Sequence, residues 1–286
     1  MDAFITAEKA TTPVRQACRL LGISPSAYYR RRSPHLSAHA HQDLVISAEL
    51  RALHTTHQGR YGSPRCHRAL RSLGLCVSRK RVIRLRRALG LRVAIRRRFR
   101  HTTDSRRTTR IAPNLVARQF TTIRPNQVWV GDVTYIPSSD GWLYLAVLVD
   151  LFSRRVVGWA MAATLDTYLV SAALRMAITT RNPPPGLWHH TDRDGRYASL
   201  DYQAQLAQHG LVQSMSRKGD CWDNAVAESF FATLEKELLS HGPLVARADI
   251  QRRVATYIDD YYNLRRLHSF IDYKTPVEYE LLHSQQ

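Results

Sequence analysis

Apolar positions recur at helical spacing in the first third of the chain and run at strand spacing in the middle. Over 12–33 (TTPVRQACRLLGISPSAYYRRR), Val14, Ala17, Cys18 and Leu21 share one helical face. Gly22 fits a helix stop, and Ser24-Pro25 fits an N-cap with proline in the first turn. The pattern predicts two short helices about a turn, the second carrying Tyr28, Tyr29, Arg30, Arg31 and Arg32. Residues 34–42, rich in Ser, His and Ala, read as a linker. Leu44, Ile46, Leu50 and Leu53 predict a helix over 43–57. In 61–91, Pro64 opens a helix to Leu70, Gly74 breaks it and Ser78 caps another. The last of these buries Val82, Leu85 and Leu89, leaving Arg79, Lys80, Arg81, Arg84, Arg86 and Arg87 on its other sides. This repeats the helix-turn-helix pattern, whose second helix suits the DNA major groove. Periodicity is lost over 92–112, a basic, Thr-rich arm suited to tracking phosphates.

From residue 126 the texture becomes β-rich. QVWVGDVTYIP, GWLYLAVLVDLFS and RRVVGWAMAA predict three strands, the first two joined by the turn signal SSDG at 138–141. Asp166-Thr167 can cap a helix through Ile178, and Pro183 to Pro185 end it. A strand at 187–192, a helix at 200–208, a strand at 211–215, a long helix at 222–240 and a last helix over about 248–262 follow. Three strands, helix, strand, helix, strand, helix is the order of a ribonuclease-H-like α/β fold with a mixed five-stranded sheet, here preceded by an all-α helix-turn-helix region.

Charge divides the chain at the same place. Residues 1–112 hold 25 Lys and Arg against 5 Asp and Glu, whereas 113–286 hold 17 against 18. The excess is densest over 79–110, with 14 basic residues and one acid, Asp104. Such density points to a nucleic-acid phosphate backbone, bound through counterion release, beside an electrically ordinary enzyme core. No run approaches the 18 apolar residues of a membrane span, and the start lacks a secretory signal. Cys18, Cys66, Cys76 and Cys221 therefore read as free thiols. His54 with His57, and Cys66 with Cys76, are not spaced for a zinc clasp.

Three carboxylates stand where a charge is costly or well placed. Asp132 lies mid-strand among Val130, Val133 and Tyr135; Asp192 ends the strand LWHHTD; Glu228 sits among small and apolar residues of the long helix. Fifty-nine residues separate the first two and 35 the last two. Each alone reads equally as a strand-edge residue, a turn former or a solvated helix position. Together they could hold two hard divalent ions, which clamp the attacking and leaving oxygens of an in-line phosphoryl displacement.

With these in place, residues 126–278 closely resemble the integrase-type core of insertion-sequence-three (IS3) family transposases, related in fold and chemistry to retroviral integrases. The resemblance rests on NQVWVGDVTYI, LAVLVDLFSRRVVGWAM, HHTDRDGRYAS, SMSRKGDCWDNAVAESFFATLEKEL and YYNLRRLHSFIDYKTPVEYE; the segment 61–91 resembles the helix-turn-helix before that core. It implies that Asp132, Asp192 and Glu228 are the catalytic, metal-binding DDE triad, with a D-D(35)E spacing. It implies two Mg²⁺ ions per site, with Mn²⁺ able to substitute. The implied reaction is hydrolysis at an element end, freeing a 3′-hydroxyl, then transesterification into another DNA, without a covalent protein–DNA intermediate. It implies double-stranded DNA (terminal inverted repeats and target) as partner, a homo-oligomer on DNA, and the first-reading-frame product of the same element. The chain, with no leucine heptad at its start, resembles the second-reading-frame product, and a cytoplasmic, nucleoid-associated bacterial location follows.

Further readings attach to single residues. Arg217, Lys218, Trp222 and Asn224 surround the start of the Glu228 helix and read as DNA contacts, Trp222 equally as core. Arg79, Lys80, Arg81, Arg84, Arg265 and Arg266 read as further DNA contacts. His190 either assists the metal site or merely hydrogen-bonds, and Asp150 reads as structural, pairing Arg154 or Arg155. Two positions depart from the family pattern: Asp194 is an added acid beside Asp192, and Asp272 stands where Gly is usual. The domain reading is a helix-turn-helix-like segment at 1–35, a basic DNA-binding domain at 43–95, a basic linker at 96–120 and a catalytic core with helical extension at 121–286. The alternatives are a non-catalytic DNA-binding repressor or inhibitor of transposition, and a Mg²⁺ nuclease of the same fold.

Overall fold

The structure is a computed structural model and describes residues 1–32, 36–93, 111–117, 121–217, 224–239 and 243–283. Most of the basic arm, with Lys218, Cys221 and Trp222, lies outside the described residues. The chain divides into two units, Met1–Val93 and Ala94–Gln286.

The first unit is helical. Helices α2 (Val14–Leu20) and α3 (Pro25–Arg32) form as the pattern predicts, joined by α1 (Asp2–Glu8). The periodicity over α1 is too sparse to announce it: its buried contribution is Ile5, which packs with Ala17, Cys18 and Tyr28. Helix α4 (Ala38–Thr56) starts well before 43, because Ser37 caps it by accepting from Ala40 N at 3.1 Å. Part of the expected linker is thus helix. Helices α5 (Ser63–Ser72) and α6 (Arg79–Ala88) follow, with Ser78 accepting from Arg81 N at 3.3 Å.

Val82 and Leu85 are buried on α6 as expected. Arg86 is not on the solvent side: it is buried, donating from Nη1 to Tyr61 O at 2.6 Å and from Nη2 to Leu91 O at 3.3 Å. Bonds to two loop carbonyls offset part of the cost of burying this guanidinium, and the basic run conceals it.

The second unit is built on a five-stranded sheet of order β3-β2-β1-β4-β5. Strands β1 (Val128–Ser138), β2 (Gly141–Asp150) and β3 (Val156–Ala162) form an antiparallel meander. Strands β4 (Trp188–Thr191) and β5 (Val212–Met215) add in parallel beyond β1. Helix α7 (Thr167–Arg181) is capped by Asp166, which accepts from Leu169 N at 3.0 Å. It lies so close on the sheet that a Cβ at Gly158 would sit 2.3 Å from Ala173 O. Helix α8 (Leu200–Gln208) joins the same core, where Trp129, Leu148, Leu174, Tyr202 and Leu206 pack together. Helix α9 (Ala225–Leu234) covers the other face, Ala227 packing with Val128, Val130 and Leu151. It continues as a π-helical turn, Glu235–Leu239. This is the ribonuclease-H-like arrangement expected.

Helix α10 (Arg247–Thr256) runs into a second π-helical segment, Tyr257–Tyr262, and α11 (Pro276–His283) closes the described chain. Glu280 of α11 is buried and accepts from both ends of the Arg181 guanidinium at 2.9 Å, from Arg155 at 2.8 Å and from Ser153 Oγ at 2.8 Å. Arg155 therefore does not pair with Asp150. Asp150 instead accepts from Asn126 N (2.7 Å), Phe152 N (2.8 Å) and Trp129 Nε1 (3.3 Å). Arg154 does remain in the field of Asp150, which opposes the burial that lowers its guanidinium to about 10.

Candidate active site

Alternation along β1 puts Val128, Val130, Asp132 and Thr134 on the face that α9 covers. Asp132 is half-buried, and its Oδ1 accepts from Val133 N at 2.8 Å. β4 runs parallel to β1, Val130 opposite His190, so the chain emerging from its end delivers Asp192 to the same region. Asp192 Oδ1 accepts from Asp194 N at 3.1 Å, a tight turn that holds the carboxylate at the strand end. Glu228 stands half-buried in the first turn of α9.

These groups share one electric field. Burial pushes the Asp132 carboxyl well above the usual carboxylate range, and the charges of Asp192, Glu228 and Asp194 push it further. Asp192 is raised to about 6, first by burial and then by Asp194, with Arg196 pulling the other way. Asp194 is paired with Arg196. Among the described residues, no group of three His, Cys, Asp or Glu is assembled to hold one ion. The carboxylates are thus coupled through space rather than gathered into a finished cage. The donor set is all hard oxygen, and Mg²⁺ takes only one or two carboxylates directly, so Asp132 and Asp192 with Glu228 beside them fit such an ion.

The floor of the site is fully buried. His189 Nε2 is 2.7 Å from Tyr202 Oη, and burial, then His190, lowers the His189 imidazole to about 3, so it stays neutral. A Cβ at Gly131 would lie 2.9 Å from His189 Cε1 and 3.2 Å from Thr191 Cγ2. Only glycine therefore lets β1 and β4 approach beside Asp132. Neither residue announces this role in the sequence, since a Gly in a strand and a His in a short apolar run are both commonplace. His190, equally buried, has Nδ1 2.8 Å from Ser214 Oγ. That is the hydrogen-bonding alternative for this residue.

The structure separates the residues expected to touch DNA. Arg79, Lys80, Arg84, Arg217 and Arg265 are exposed. Arg81 is turned onto α4, donating to Asp43 Oδ1 at 2.7 Å and to His39 O at 3.0 Å. Arg266 is buried, its Nη2 and Nε donating to Glu237 at 2.8 and 2.9 Å. Asn224 is buried and donates to Gly131 O at 3.4 Å. These last three side chains are spent inside the fold, which a count of basic and polar residues near a motif does not reveal.

Three family descriptions match the chain: an HTH-like domain over 41–99, and an integrase core domain over 123–221 and again over 209–276. The transposase for insertion sequence element IS904 of Lactococcus lactis is 40% identical over 84% of this chain and 95% of its own length. Transposase InsF for IS3A of Escherichia coli is 37% identical over 97% of both. The chain belongs to the IS3 family of transposases. Among solved structures, this transposase is similar to the HTLV-2 integrase catalytic core solved with magnesium: 22% identity, covering 55% of this chain and 98% of that one, TM-score 0.42. Among the described residues of the transposase, no helix is long and apolar enough to cross a membrane.

Proposed function

We propose that this transposase cuts the ends of its own insertion sequence and joins the freed 3′-hydroxyl to target DNA, with Asp132, Asp192 and Glu228 as its catalytic carboxylates. The observation that carries this reading is that β1, the end of the parallel β4 and the first turn of α9 bring Asp132, Asp192 and Glu228 within electrostatic reach of one another. A group of half-buried like charges costs stability and persists where a cation or a developing charge repays it.

In the first step water attacks an end phosphorus and the bond to the 3′-oxygen breaks, leaving a 3′-hydroxyl. In the second, that hydroxyl attacks a target phosphorus while the bond to the target's own 3′-oxygen breaks. One phosphodiester replaces another, so no energy source is needed. Asp132 and Asp192, with Glu228, would hold Mg²⁺, or Mn²⁺ in its place, two ions in all. When bound, the metal lowers the pKa of the attacking oxygen and neutralises charge at phosphorus. The carboxylates of the chain do the rest. Before a cation is bound, the raised Asp132 carboxyl favours its protonated form; a bound cation would hold it ionised, with Oδ1 taken by the Val133 N–H and Oδ2 left for the ion. On the opposite face of β1 from the Asp132 carboxylate, the buried Gly131, His189 and Tyr202 hold β1 close against β4.

DNA is held by the basic first unit, with Arg79, Lys80 and Arg84 on α6, and by Arg217 and Arg265 near the core. The working divisions are 1–35, 43–95, 96–120 and 121–286. The enzyme acts as a homo-oligomer holding two element ends, together with the first-reading-frame product, in the bacterial nucleoid.

Incubating the full chain with labelled terminal DNA and Mg²⁺ or Mn²⁺ tests the reading. Cut and joined products support it. Cleavage without joining makes the chain a nuclease of the same fold, and binding without cleavage makes it a repressor.

A further inference from the structure

Helix α6 does not offer its arginines uniformly. Counting from its first residue, positions 1, 2, 5, 6, 9 and 10 (Arg79, Lys80, Ile83, Arg84, Arg87 and Ala88) are its exposed stripe. Arg81, Val82, Leu85 and Arg86 face inward or are half-buried. That stripe is the side a second helix of a helix-turn-helix unit turns toward DNA.

Within the stripe, Arg84 differs from its neighbours in one respect. Its Nη2 donates to Asp43 Oδ2 at 2.6 Å, while its side chain remains 55% exposed. The other oxygen of the same carboxylate is taken by Arg81 Nε at 2.7 Å. Arg81 is itself anchored on His39 O and Gln42 Oε1, at 3.0 and 3.2 Å. Asp43 therefore cannot swing: Arg81 fixes it on α4, and it fixes Arg84 on α6. The guanidinium of Arg84 is held at Nη2, on a side chain that stays more than half exposed.

An arginine that only neutralises phosphate gains nothing from an acid beside it, since the acid cancels part of the attraction. One that reads a base gains much, because the guanidinium plane must be fixed for two parallel N–H bonds to guanine O6 and N7. We propose that Asp43 holds Arg84 as the guanine-reading side chain of this transposase, with Arg81 as the strut that fixes Asp43. Arg79, Lys80 and Arg87, which have no such strut among the described residues, serve as phosphate contacts. The inference rests on the proposed recognition of element ends and adds the base class read.

The test is selection of binding sites by the full chain from a randomised duplex library, followed by affinity measurements across salt. Wild type is expected to enrich a site containing one dominant G·C pair. Arg84→Ala and Arg84→Lys should both lose preference at that pair, by roughly tenfold or more, and leave the other positions enriched. Arg84→Lys keeps the charge and should therefore keep the salt slope, while it loses the base preference because lysine lacks the planar fork. Asp43→Ala should lower the same preference while leaving non-specific affinity unchanged or tighter. Arg79→Ala should weaken all sequences alike and reduce the salt slope by about one. The melting temperature of each variant confirms folding. If Arg84→Lys keeps the full preference, or if Asp43→Ala leaves it intact, the inference is overturned. If wild type enriches no site at all, the wider reading of end recognition fails with it, and that outcome is distinct.

Discussion

Asn224 Nδ2 donates to the carbonyl of Gly131 at 3.4 Å, tying the start of the helix that bears Glu228 to the residue before Asp132. The bond crosses 93 residues of sequence and joins two of the three carboxylate-bearing elements directly. Asn224→Ala removes the tether and neither carboxylate. We expect single-turnover cleavage to fall roughly 10- to 100-fold, since small misplacements of reacting groups cost that much. Affinity for terminal DNA should change less than twofold, as measured by titration without divalent cation. A matched loss of affinity would instead make Asn224 a DNA contact.

Gly131→Ala places a methyl 2.9 Å from Cε1 of the fully buried His189 and 3.2 Å from Cγ2 of the fully buried Thr191. The expected cost is about 1–3 kcal/mol from overpacking, read from urea denaturation of the full chain. Activity should fall further than stability, because the strand carrying Asp132 must shift. His189→Ala combined with Gly131→Ala should recover part of the loss, as the added methyl then has space.

The carboxylates also make stability depend on pH. Asp192 is raised from 3.8 to about 6, and Asp132 is raised as well. The folded state therefore binds more protons than the unfolded one between those values, and stability falls as pH rises through that window. For Asp192 the penalty is complete above about 6. Asp192→Asn should therefore stabilise the chain by about 1–2 kcal/mol at pH 7.5 without divalent cation, seen as a higher melting temperature. At pH 4 the gain should vanish. The apparent affinity for Mn²⁺ should fall below pH 6 as the carboxylates take up protons.

Glu280 of α11 and Arg181 of α7 form a buried, two-pronged ion pair that ties the last described helix to the layer packed on the sheet. Glu280→Ala leaves Arg181 and Arg155 facing a buried void. Removing one partner of a buried pair costs about 3–5 kcal/mol, so the urea midpoint should drop sharply. Arg266→Ala, which leaves Glu237 with Tyr257 Oη but without its counter-charge, should also act through stability, with terminal DNA affinity of the folded fraction unchanged.

Much of this was legible before any coordinates. The alternation around Asp132, the SSDG turn, the Asp166 and Ser78 caps and the 35-residue gap to Glu228 are local or periodic signals, and each survives in the fold. Long-range pairing was not legible. Arg81, Arg86 and Arg266 look like surface charge in a basic sequence, yet their partners Asp43, Tyr61 and Glu237 are 20 or more residues away. Gly131 and His189 matter through a contact between neighbouring strands, which period-two patterning does not encode. Helix α1 escaped because it buries a single side chain, Ile5.

The most direct measurement compares wild type with Asp132→Asn, Asp192→Asn and Glu228→Gln in single-turnover reactions on labelled terminal DNA with Mg²⁺. Each variant should bind that DNA as wild type does and should cut and join at least about 1,000-fold more slowly. Any one of them turning over near the wild-type rate, with its fold intact, would contradict the assignment of these carboxylates to the chemistry.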